Sequence, residues 1–192
     1  NRQAILLPDA QITSDEKEVF VLIIGESARR DHFSLYGYEK KTNPLLEKDS
    51  VTALVALSSS TYTTAGVKAI LDHKKTGDLY EILPNYLDRT GVDVIWRTAN
   101  WGEPPVYIDK YYQKADIKAR YPESDENYDG ILLDGLYEDI MASDKNKVLV
   151  VIHTSTSHGP TYFEKYPSEF EVFSPVCTTV EMSKADHDEL MN

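Results

Sequence analysis

The stretch Val19-Phe20-Val21-Leu22-Ile23-Ile24, followed at once by Gly25-Glu26-Ser27-Ala28-Arg29-Arg30, decides the fold. Its apolar run is too short to cross a bilayer. It is rich in β-branched residues and lacks alternation, which predicts a strand over 19–24 buried on both faces, hence a parallel sheet covered by helices. Gly25 ends the run and permits a sharp turn. Glu26 then falls where the strand's carboxyl end meets a loop, the edge at which open α/β sheets bind ligands. A carboxylate there suits a metal better than a core. The plainer alternative is a charge capping a helix start, with Ser27 as a possible cap residue.

Outward from this stretch the chain repeats the same grammar. Apolar runs at 51–57, 92–96 and 148–152 predict three further strands. Between them lie helical patterns. Thr42-Asn43-Pro44 marks a helix start, with Asn43 as cap and Pro44 at the first position. Residues 65–75 have helical character, and Ile82, Leu83, Tyr86 and Leu87 sit at helical spacing in a helix over 79–89 closed by Gly91. Residues 131–141 predict another helix, and 97–127 a long polar excursion of the functional or mobile kind. Alternating strands and helices specify an α/β protein with a mainly parallel sheet.

The 192 residues are enough for one domain with a real core. Twenty basic against 32 acidic residues give a net charge of −12, which excludes the basic footprint that nucleic acid requires. It also argues against electrostatic docking on an anionic membrane. The single cysteine, Cys177, can form no internal disulfide.

Three of the four predicted strands end in polar groups. The first leads to Glu26, the second to the hydroxyl cluster from Ser58 to Thr64, and the fourth to His153 and then Ser157-His158-Gly159-Pro160. If the strands are parallel neighbours, a carboxylate, a hydroxyl and an imidazole meet on one rim, a set suited to zinc and an activated nucleophile. The hydroxyl cluster also opens a predicted helix, whose free N–H groups favour a phosphate; taken alone, such a run is ordinary turn and cap chemistry. His32, His73 and His187 have no partner signal, and the neighbours Asp31 and His32 diverge on a helix.

The block from Val21 through Gly25-Glu26-Ser27-Ala28-Arg29-Arg30-Asp31-His32 to Tyr38, with Thr42-Asn43-Pro44, resembles the phosphoethanolamine transferases of the alkaline phosphatase/sulfatase superfamily, bacterial inner-membrane enzymes that include the polymyxin-resistance modifiers of lipid A. Trp96-Arg97 with Asn100, Val150 to His153, Ser157-His158-Gly159-Pro160-Thr161-Tyr162-Phe163 and the segment from Glu169 to Cys177 extend the resemblance. It implies a three-layer α/β/α sandwich, with Glu26 and Thr63 as zinc ligands and Thr63 as the nucleophile. Thr63 would take phosphoethanolamine from phosphatidylethanolamine and pass it to an envelope acceptor such as lipid A, a core sugar or a protein. His158 and Asn100 would contact the donor. The resemblance further implies that 19–192 is the N-terminal part of a periplasmic catalytic domain, with a linker over 1–18 from an N-terminal membrane region, and a monomer.

Departures also follow. Family disulfide positions read Ser59, Ala69 and Ala185 here, leaving Cys177 a free thiol, and a family lysine is replaced in Trp101-Gly102-Glu103-Pro104. The family's Asp-His zinc pair lies C-terminal to the blocks matched here, so these residues by themselves are expected to bind zinc poorly and turn over nothing. The other readings are a phosphoglycerol transferase, a binding module for anionic headgroups, and a purely structural domain in which Glu26, Thr63 and His158 lie far apart.

Overall fold

The computed structural model describes residues 4–74 and 76–191. Its centre is a parallel sheet in the order β1-β4-β2-β3 among the described residues, formed by β1 (Glu18–Ile24), β2 (Asp93–Thr98), β3 (Lys110–Gln113) and β4 (Lys147–His153). Strand β4 is central. Val148, Leu149, Val150, Val151 and Ile152 are all at most 4% exposed, and at about 1.5–3 kcal/mol per buried aliphatic side chain this strand is the main apolar anchor.

Alternation along the strands builds two cores. On one face Leu149 and Val151 of β4, Val94 and Trp96 of β2 and Ile24 of β1 pack with Val67 and Leu71 of α2 (Thr63–Leu71) and with Ile82, which precedes α3 (Leu83–Arg89). On the other, Val148, Val150, Ile152 and Ile95 meet Ile117 of α4 (Lys114–Arg120), Ile131 and Leu132 of a 3-10 turn, and Leu136 of α5 (Leu136–Met141). Helix, sheet, helix is the three-layer arrangement expected. The shorter helices α1 (Pro44–Lys48) and α6 (His187–Met191) lie outside these cores.

Several expectations are corrected. Strand β1 forms, but among the described residues it is an edge strand, paired only with β4, and Phe20 and Ile23 are 69% and 65% exposed. Its apolar run therefore has cover on part of one face only. Residues 51–57 form no strand. Leu54, Val55 and Leu57 are exposed, and the described segment has no ladder partner; apolar β-branched residues supply the preference, but a strand also needs a neighbour's open edge. The excursion 97–127 instead contains β3 and α4, which starts with a capping box between Gln113 and Asp116.

The helix expected from residue 79 begins only at Leu83, with Pro84 in its first turn, where a missing N–H costs nothing. Gly91, at φ 104°, follows its end. The helix expected over 131–141 is broken at Gly135, whose φ is 65° and whose missing side chain makes room for the Tyr121 ring; a Cβ there would overlap it. The opening segment is tied down. Ile5 bridges to Tyr80, and Arg89 donates to the Leu7 carbonyl at 2.6 Å.

Candidate active site

Parallel strands put their carboxyl ends on one rim, and the register places Ile24, Thr98 and His153 side by side. The loops that follow carry the chemistry. Glu26 lies two residues beyond β1, Asn100 two beyond β2, and His158 five beyond β4. Thr63 comes from elsewhere, as the first residue of α2, where Tyr62 holds the cap position and the first intrahelical bond runs from the Gly66 N–H. The N–H groups of Thr63, Thr64 and Ala65 thus precede the helix's own bonding.

The Thr63 hydroxyl donates to Glu26 Oε2 at 2.9 Å, and Asn100 Nδ2 donates to the same oxygen at 2.8 Å. Oε1 accepts the Ser27 hydroxyl at 2.7 Å and the Ser27 N–H at 3.0 Å. Ser27 adopts φ 21°, rare outside glycine, to make this contact and caps no helix. Burial alone would raise the Glu26 pKa. Hydrogen bonds from Ser27, Asn100 and Thr63 outweigh it and bring the pKa down to about 2. Glu26 is therefore an acceptor-only carboxylate at neutral pH.

Gly25, Glu26, Arg29, Thr61, Thr63 and His158 line a cleft of about 690 Å³. His158 packs its ring against Trp101 at 5.3 Å between centroids. Its Nδ1 lies 2.8 Å from the Gly159 carbonyl, which can only accept, so Nδ1 carries a proton and donates it there. Another groove, of about 560 Å³ beside α3, is mostly apolar; of its charged members Lys68, Glu81, Asp88 and Arg89, Glu81 and Arg89 pair with each other at 2.6 Å.

Asn100 is 6% exposed. Its second N–H reaches the Thr154 carbonyl at 3.1 Å, and its Oδ1 accepts the N–H groups of Trp101 and Gly102 at 2.8 and 3.1 Å. All four of its hydrogen-bonding positions are taken inside the chain, so it could meet a headgroup only by giving one up. His153 is fully buried at the end of β4. Its Nδ1 bonds Glu103 at 2.8 Å, while Nε2 has no partner among the described residues. Burial would raise the Glu103 pKa, but His153 and Thr98 hold it below the ordinary value.

Asp31 pairs with exposed Arg29 at 2.6 Å, and the His32 ring lies near Tyr38, so this pair stays outside the Glu26 cluster. Among the described residues no three His, Cys, Asp or Glu side chains converge on a metal-sized space. Cys177 is a free thiol against the Thr179 carbonyl. Sequence reasoning passed over Gly102, Glu103 and Asp129 as site elements. They act through steric contact and long-range pairing, and none forms a local motif.

The sulfatase family model matches residues 18–189. This chain belongs to the sulfatase family. Within it, phosphoethanolamine transferase EptA of Helicobacter pylori is 38% identical over 178 residues, covering 90% of this chain and 34% of the relative. Phosphatidylethanolamine transferase Mcr-1 of Escherichia coli is 33% identical over 190 residues, covering 90% of this chain and 35% of the relative. This sulfatase-family chain thus spans about a third of the length of these curated relatives. The C-terminal periplasmic domain of phosphoethanolamine transferase EptC from Campylobacter jejuni superposes with a TM-score of 0.76 at 29% identity, covering 92% of this chain and 57% of that one. The parallel α/β sandwich is therefore the fold of these periplasmic domains. No helix among the described residues is long and apolar enough to cross a membrane.

Proposed function

We propose that this chain is part of a zinc-dependent phosphoethanolamine transferase. It would move the group from phosphatidylethanolamine to a cell-envelope acceptor such as lipid A, a core sugar or a protein, through a phosphothreonine at Thr63. The observation that carries this is the Thr63 hydroxyl held 2.9 Å from Glu26 at the carboxyl rim of the sheet, on the first residue of a helix. The named activities of the relatives support phosphoethanolamine as the transferred group. On this reading the chain works in the periplasm and is joined to a membrane region through the segment 1–18.

Glu26 and Thr63 are two oxygen donors close enough to share one cation. They fit as part of a zinc site, whose usual four positions take further ligands; no three His, Cys, Asp or Glu side chains come together there among the described residues. Bound zinc would supply the field that makes the Thr63 hydroxyl acidic enough to react. Glu26, with its pKa near 2, is too weak a base to do this by itself.

In the first half-reaction the Thr63 Oγ–P bond forms and the P–O bond to diacylglycerol breaks, and the proton given up by Thr63 ends on the diacylglycerol oxygen. In the second, an acceptor hydroxyl oxygen bonds to phosphorus, the Thr63 Oγ–P bond breaks, and the acceptor's proton ends on Thr63 Oγ. The N–H groups at the start of α2 face the developing phosphoryl charge. Arg29 and His158 line the same cleft, where they would meet the donor's phosphate and headgroup.

The test is mass spectrometry of the tryptic peptide 49–68 from the intact protein. A phosphoethanolamine adduct on Thr63 is expected, and Thr63→Ala should lower transfer by three orders of magnitude or more, roughly the scale of losing a nucleophile. An unmodified peptide in zinc-loaded protein that shows no transfer, with headgroup retention unchanged in Thr63→Ala, would overturn the proposal in favour of a headgroup-binding module.

A further inference from the structure

We propose that the turn Asn100-Trp101-Gly102 is the device that positions the Thr63 side chain, with Gly102 as a steric stop for its methyl group and Asn100 as the residue that sets both contacts. This rests on the reading of Thr63 as the phosphoryl acceptor. Threonine is β-branched, so fixing its methyl group in one χ1 well fixes its hydroxyl as well. The hydroxyl end is held by Glu26 Oε2. The methyl end is held by Gly102. A Cβ built on that glycine would lie 2.7 Å from Thr63 Cγ2 and 2.9 Å from Thr63 Cβ, closer than real contacts allow.

One amide controls both ends. Asn100 Nδ2 holds Glu26 Oε2, and Asn100 Oδ1 accepts the Trp101 and Gly102 N–H groups and closes the turn that brings Gly102 against Thr63. Its second N–H, on the Thr154 carbonyl, ties the same turn to the end of β4. Gly102 does not have a positive φ, so the backbone itself accepts alanine there. Whatever Gly102→Ala costs, it costs through Thr63. With its methyl stopped and its hydrogen directed to Glu26, the Thr63 oxygen is left with its lone pairs free of donors among the described residues. That is the orientation needed for attack on phosphorus.

The test is a double-mutant cycle in the intact protein, combining Gly102→Ala with Thr63→Ser, which lacks Cγ2 but keeps Cβ. Gly102→Ala should lower the melting temperature, and Thr63→Ser should restore at least half of that loss. In the Thr63 background, Gly102→Ala should reduce kcat for transfer from phosphatidylethanolamine vesicles at least tenfold and leave KM within twofold. Asn100→Asp, which keeps the Oδ1 acceptor and loses the N–H donor to Glu26, should reduce kcat in the same way. An equal melting loss in both backgrounds would overturn the contact. A melting coupling with unchanged kcat would overturn the positioning role. The melting cycle reads the contact whether or not Thr63 is the acceptor; if Thr63→Ala still transfers, the functional reading has failed and the positioning claim falls with it.

Discussion

Replacing Arg97 with leucine is expected to lower the melting temperature of the intact protein by roughly 6–20 °C, about 3–5 kcal/mol for breaking a buried charge pair. Arg97 is fully buried in β2, on the face packed against α4 and α5. Its guanidinium donates to the Leu132 carbonyl at 3.1 Å, the Asp134 carbonyl at 2.6 Å and Asp139 Oδ2 at 2.6 Å. Those two carbonyls belong to the interruption where the 3-10 turn ends and Gly135 restarts the chain as α5. No regular helix satisfies them there, so the arginine does.

Leucine fills much of the space but leaves both carbonyls without that partner, and unmade hydrogen bonds are the expensive part of the loss. Asp139 keeps its second partner, Arg120 at 2.5 Å, which limits the damage to one arm of the network. Arg97→Lys should fall between parent and leucine, because an ammonium cannot reach three acceptors in the fork geometry. Thermal melting of the three proteins checks the order. A leucine variant as stable as the parent would show that water reaches the interruption and replaces the guanidinium.

Nothing near Arg97 in the sequence announces this network; a charged residue at the end of an apolar run reads as the strand leaving the core. The legible parts are those set by local pattern. The runs at 19–24, 92–96 and 148–152 each contain more buried or β-branched residues than a loop would carry, and each became a strand. The run at 51–57 has the same pattern and remains unpaired and exposed, because pattern specifies a preference and pairing depends on which edges the fold leaves open. Strand β3 escaped notice for the opposite reason. Lys110-Tyr111-Tyr112-Gln113 is short, flanked by polar residues and half-buried, as an edge strand should be.

The site divides in the same way. Glu26 was legible as a carboxylate after a strand, and Thr63 as one of several hydroxyls at a helix start; the resemblance to a family is what singled it out. The structure brings these two into contact and puts His158 on the same cleft, which the purely structural reading required to be apart. The absent side chain of Gly102, and the pairing of Glu103 with His153 across 50 positions, leave no trace in composition or period.

Removing the Asp129 carboxylate should loosen the loop that carries His158 and cost about 2–4 kcal/mol, the scale of leaving two partly buried N–H groups without acceptors. Asp129 opens the 3-10 turn before α5 and reaches across to the loop after β4. Its Oδ2 accepts the N–H groups of Ser155 and Thr156, both at 2.7 Å, and the Thr156 hydroxyl; Oδ1 accepts the Ser155 hydroxyl at 3.2 Å, with Lys114 Nζ at 3.5 Å. His158 is linked to this anchor through its own N–H, which donates to the Ser155 carbonyl at 2.9 Å. Asp129→Ala loses every one of these acceptors. Asp129→Asn should cost less, since one amide oxygen can still accept both N–H groups, while its NH₂ faces Lys114 without a charge to offer.

The pH dependence carries the sign of a lowered carboxylate. Burial would raise the Asp129 pKa, and the hydrogen bonds from Thr156 and Ser155 with the nearby Lys114 charge more than offset that, leaving it below the usual aspartate value. The stabilisation is therefore complete above about pH 4, where an unfolded aspartate is ionised, and fades as the pH falls through the lower folded value. The melting gap between parent and Asp129→Ala should be widest at neutral pH and narrow in acid. Amide hydrogen exchange at Ser155 and Thr156 should accelerate at neutral pH in the alanine variant. A gap that persists undiminished into strong acid would mean that the carboxylate's charge contributes nothing and that the loop is held by packing alone.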